Sequence, residues 1–138
     1  MSSNDLLPQT ECGYATGQVR WLLCAEALAM LIATTTLFFW FGGKLWMFAA
    51  LFFAPDLTLI GYVAGQKGGA ALYNGVHSYS LPLLLAVTGI LSGTEILWQI
   101  PLIFIAHTAF DRSLGYGLKY ASSFRHTHLG PIGKGPRT

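Results

Sequence analysis

Glu26, Asp56, His77, His107 and Asp111 stand inside long apolar runs, where ionisable side chains are costly and normally face a protein interior or a functional site. Asn74 lies three residues before His77 and Asp111 four after His107, with Arg112 next to it. Those spacings stack each pair on one face of a helix. Two imidazoles with two carboxylates are a ligand set for Zn, Fe or Mn. Asp56, His77, His107 and Asp111 are therefore candidate metal ligands, with Glu26 as general base and Arg112 as anion holder; an open position on the ion would activate water. Asn74, His126 and His128 are candidate outer partners. Three other chemistries stay open. The residues could form a packing network, with Asp111 against Arg112 and Glu26 against Arg20 or Arg112. His77 and His107 could be axial ligands of a b-type haem, although the neighbouring carboxylates suit an apolar porphyrin slot poorly. The same layer could relay protons.

The elements that must position these residues are membrane-spanning. Of 138 residues 53% are apolar and 10% charged, against roughly 25% charged in an ordinary soluble domain. A net charge of +2, with the cations scattered, argues against a nucleic-acid partner. Cys12 and Cys24 have neither metal-ligand spacing nor a disulfide framework. The first twenty residues carry Asp5 and Glu11 before any cation and do not read as a signal peptide. Four stretches, 21–41, 45–63, 70–91 and 96–114, meet the length of about 20 residues that a bilayer demands. Pro55, Pro82 and Pro101 inside them predict kinks. Short connections make neighbours antiparallel, so the expected fold is an all-α, four-helix up-down bundle in a membrane. Residues 1–20 read as a flexible cytoplasmic lead and 115–138 as a polar cytoplasmic tail. With both termini inside, Arg20, Lys67, Arg112, Lys119, Arg125, Lys134 and Arg137 fall on the inner side and Lys44 outside, as the positive-inside rule requires.

In that frame Glu26, Asp56, His77 and His107 each lie six or seven residues from the inner end of a different span. At about 1.5 Å per residue they share a depth near 10 Å. Pro55 breaks the second span beside Asp56, either aiming that carboxylate into a cavity or leaving it to cap the inner half-helix. In the tail, His126 and His128 alternate as on an extended segment that could face the inner mouth.

The motifs Phe53-Ala-Pro-Asp56, Gly69-Ala-Ala-Leu-Tyr-Asn74 with His77, Ala106-His107, Phe110-Asp-Arg112, Gly115-Tyr-Gly-Leu-Lys-Tyr120 and Thr127-His-Leu-Gly130 resemble the bacterial integral-membrane family catalogued as domain-of-unknown-function family 4260. The resemblance starts at about Arg20 and implies the four-helix membrane topology, without an established activity. A looser likeness to membrane-bound metal-dependent hydrolases is an analogy. The expectation is a protein of the bacterial inner membrane acting as a metal-dependent hydrolase. Water activated by the metal, with help from Glu26, would attack a phosphate or ester of a lipid-like substrate held by Arg112. The alternative is a non-enzymatic small subunit or structural bundle. Expected partners are membrane lipids, with a second copy or a membrane partner protein left open.

Overall fold

Helix α1, Gly17–Trp40, is 24 residues long, about 36 Å at the helical rise and enough to cross a hydrocarbon core of about 30 Å. The computed structural model describes residues 13–133; Cys12, Lys134, Arg137 and the rest of 1–12 and 134–138 lie outside the described residues. The fold is an all-α bundle in which three helical stretches, Gly17–Trp40, Leu45–Ala64 and Gln66–Ser92, are long and apolar enough to span a membrane.

The second and third stretches are broken where the proline positions predict. Helix α2, Leu45–Leu51, gives way to a 3₁₀ segment, Ala54–Ala64, with Pro55 in its first turn. An 11-residue 3₁₀ run is long for a geometry usually confined to three or four residues. Gly65, at φ 108°, turns the chain into helix α3, Gln66–Val76. Residues 77–79 leave helical geometry before helix α4, Ser80–Ser92. The expected continuous helix over 70–91 is therefore two helices. Pro82 has no N–H for the carbonyl four residues back, Ser78, and its ring crowds that carbonyl. Helix α5, Glu95–Ser113, contains Pro101 without a break in the helix.

Helix α5 is the axis of the bundle, packing against both α1 and α4. Its buried side includes Ile103, Ile105, Ala106, His107 and Thr108. That burial explains why it carries more polar residues than the spans around it. Phe38 of α1, Met47 of α2 and Ile103 of α5 form the apolar core, with Phe52 packed against it. The 3₁₀ segment lies on α3 through small residues, the usual way of bringing helices close in a membrane. A Cβ on Gly69 would come within 2.4 Å of the Tyr62 ring.

The polar tail expected over 115–138 is folded over its described length. Strands β1, His126–Thr127, and β2, Gly130–Pro131, pair antiparallel. Arg20 Nε donates to the Leu129 carbonyl at 2.6 Å, and the Ala15 amide donates to the His128 carbonyl. The lead expected over residues 1–20 already contains the start of α1, and residues 13–16 run beside the tail.

Candidate metal centre

Three elements deliver one cluster. Asp56 sits in the first turn of the 3₁₀ segment, just after the buried Pro55. His77 occupies the C-terminal end of α3, and His107 and Asp111 lie one turn apart on α5. One ligand-capable atom from each falls within 4.8 Å of all the others.

The separations are informative. His77 Nε2 lies 3.2 Å from His107 Nε2, 3.5 Å from Asp56 Oδ1 and 3.6 Å from Asp111 Oδ2. His107 Nε2 lies 3.3 Å from Asp56 Oδ1 and 3.4 Å from Asp111 Oδ2. A tetrahedron with edges of about 3.4 Å has its centre about 2.1 Å from each corner, the bond length zinc makes to imidazole nitrogen and carboxylate oxygen. Five of the six edges thus match a tetrahedral first shell; octahedral neighbours at the same bond length would stand about 3.0 Å apart.

Proton counting gives the same sign of deficit. His77 Nδ1 lies 3.0 Å from the Tyr73 carbonyl, which only accepts, so Nδ1 carries the hydrogen. In the neutral ring Nε2 then presents a lone pair to the cluster, the arrangement that orients metal-bound histidines. A neutral His107 can supply one Nε2 hydrogen at most, while two carboxylate oxygens and the His77 lone pair converge on it. Additional protons or a cation must balance the site. His107 Nδ1 is buried without a hydrogen-bond partner among the described residues, and packing holds the ring instead. Phe52 and Phe53 meet it edge to face with centroids 5.4 and 6.2 Å away.

The cluster is buried on one side only. His77 and His107 side chains are 3% and 1% exposed, Asp111 17% and Asp56 40%. Asp56 is therefore the corner nearest an opening. Tyr73 and Lys119 were not singled out from the sequence, yet they wall the site. The Tyr73 ring stacks on His77 at 3.7 Å between centroids, and its hydroxyl lies 3.5 Å from Asp111 Oδ2. Lys119 Nζ sits 3.6 Å from the Phe124 ring centroid and 4.7 Å from that of Tyr73. Burial lowers the Lys119 ammonium pKa from its ordinary value, opposed by the negative charges of Asp111 and Asp56. Tyr73 is four residues before His77, a same-face spacing that was available as a signal; Lys119 had none.

The other expected site residues go elsewhere. The Asn74 amide clamps the Lys119 backbone, donating to its carbonyl and accepting from its N–H, both at 2.7 Å. Arg112 donates to the His77 carbonyl at 3.3 Å and stacks over Tyr79 at 4.2 Å, placing a cation on the otherwise unpaired C-terminal end of α3. Glu26 is exposed and is not among the four clustered residues; it lines a separate cavity of about 150 Å³ with Arg112 and His128. The expectation of Glu26 as base beside the metal ligands does not match this placement. Depth alone did not fix its direction: α1 buries Ala27, Thr34 and Phe38, and Glu26 is turned about 100° from Ala27. His126 is exposed beside Ser122, whereas His128 Nδ1 accepts from the Leu118 amide at 2.8 Å, so the two do not form one site. Burial, followed by the charge of Arg112, lowers the His128 pKa.

No curated protein and no solved structure matches the chain. A family model described as domain of unknown function (DUF4260) matches residues 20–132, a span that includes all four clustered residues, Tyr73 and Lys119, and the chain belongs to that family.

Proposed function

We propose that this membrane protein is a metalloenzyme of the hydrolytic type, with one divalent ion held by Asp56, His77, His107 and Asp111. The carrying observation is the set of five ligand-atom separations between 3.2 and 3.6 Å. Zinc fits them best, and iron and manganese accept the same donors. The 40% exposure of Asp56 supports a reacting rather than a sealed site: a carboxylate at the open corner can shift and admit water. Lys119 supplies positive charge on the tail side. The substrate class in this reading is a phosphate or carboxylic ester presented from the membrane. In this reading the cluster faces the cytoplasmic side of a bacterial inner membrane, a placement supported by the uneven distribution of Lys and Arg along the sequence.

The test is elemental analysis of the chain purified in mild detergent without a metal-binding tag, followed by ester and phosphodiester assays on the loaded protein. Near-stoichiometric Zn, Mn or Fe, reduced in Asp56→Ala and His107→Ala, supports the reading. A folded protein that takes up none of the three after reconstitution leaves the cluster as a packing or proton-sharing network.

A further inference from the structure

Glu26 and Arg112 face one cavity without touching. The cavity, about 150 Å³, is lined by Leu23, Glu26 and Met30 of α1, Tyr79 before α4, Arg112 of α5 and His128 of the tail. Its volume corresponds to about five waters. Among the described residues, no ion pair or hydrogen bond engages the Glu26 carboxylate. A charge left so inside a 24-residue apolar span is costly. Arg112 spends one donor on the His77 carbonyl, and a guanidinium has five. His128 accepts at Nδ1 from the Leu118 amide, so its neutral ring carries a hydrogen at Nε2. One wall therefore offers donors and positive charge, and the opposite wall a lone carboxylate.

We propose that this cavity binds the headgroup of a zwitterionic phospholipid bearing a primary amine, of the phosphatidylethanolamine class. Arg112 and His128 take the phosphate, and Glu26 takes the ammonium. The charge separation selects the ligand. A simple anion would leave Glu26 unpaired, and a simple cation would leave the guanidinium unsatisfied. The lipid source follows from position, since Glu26 lies within a membrane-spanning helix between the apolar Leu23 and Met30. The cavity contains none of the four clustered carboxylates and imidazoles, so the proposal does not rest on the metal reading.

The experiment is thermal unfolding of the full chain in detergent with added phosphatidylethanolamine, phosphatidylglycerol or phosphatidylcholine of matched acyl chains, or soluble phosphoethanolamine. Native mass spectrometry counts bound lipid in parallel. The amine lipid is expected to give the largest Tm rise, with retention at least about tenfold above phosphatidylglycerol. Glu26→Gln should abolish that preference while metal content stays unchanged. Arg112→Lys, which keeps the cation at the end of α3, should weaken retention of both phosphatidylethanolamine and phosphatidylglycerol. Equal Tm rises for the three lipids would overturn the proposal, as would an unchanged preference in Glu26→Gln. A response to soluble phosphoethanolamine as large as that to the lipid would overturn the assignment to a membrane source.

Discussion

Asp111→Asn is the sharpest perturbation of the cluster, because it keeps the side chain's shape and removes the charge. Asp111 Oδ2 stands 3.4 Å from His107 Nε2 and 3.6 Å from His77 Nε2. With free ion at 100 times Kd, binding stabilises the wild-type fold by about 2.7 kcal/mol. Losing an outer partner of a metal ligand costs 10–100-fold in affinity, so about 100-fold is a floor for losing an anionic ligand itself. At the same free ion the variant is then half saturated at most, and binding contributes about 0.4 kcal/mol. For a chain of 138 residues, at about 3–4 °C per kcal/mol, chelation should lower the wild-type Tm by about 8–11 °C and the variant's by about 1–2 °C. The assay is thermal unfolding in detergent with and without a chelator at fixed pH. A chelator shift that is equally large in Asp111→Asn would refute the ligand assignment, and no shift in either protein would refute the metal.

Further outcomes follow from the tail and the helix contacts. Asn74→Ala should release the paired hydrogen bonds to Lys119, lowering stability by about 1–3 kcal/mol, with hydrogen exchange rising at the Lys119 amide while α1 stays protected. His128 should show a pH effect of defined sign. Its folded pKa is depressed below 6.5, so the unfolded chain binds more protons in that window. The docked tail is fully stable above about pH 6.5 and loses stability as pH falls toward the depressed value; faster exchange of the Leu118 amide as pH drops, absent in His128→Gln, checks this. Gly69→Val puts side-chain atoms into the Tyr62 ring and should cost about 1–3 kcal/mol, read as lower Tm and reduced metal retention through a displaced Asp56.

Much of this architecture is legible in residue order. Three of the four expected spans follow from apolar length, whereas the fourth, 96–114, forms the helix Glu95–Ser113 without reaching the apolarity of a span, its polar residues including Gln99, His107, Asp111 and Arg112. The breaks at Pro55 and before Pro82 follow from the missing amide hydrogens. Depth counting at a fixed helical rise brought Asp56, His77 and His107 together from three elements, and the four-residue spacing added Asp111. The same counting failed for Glu26, because equal depth does not specify which way a side chain points around its helix. The tail resisted reading for another reason. It has no period, and its path is set by contacts between residues 45 and 109 positions apart, those of Asn74 with Lys119 and of Arg20 with Leu129. Lys119 reaches the cluster only because of that path.

X-ray absorption at the metal edge reads the ligand shell itself. One ion per chain is expected, with four nitrogen or oxygen neighbours at about 2.0–2.1 Å, two of them showing imidazole scattering, reduced to one in His107→Ala. A loaded sample with no imidazole scattering, or with the same first shell after His107→Ala, would contradict the four-ligand site.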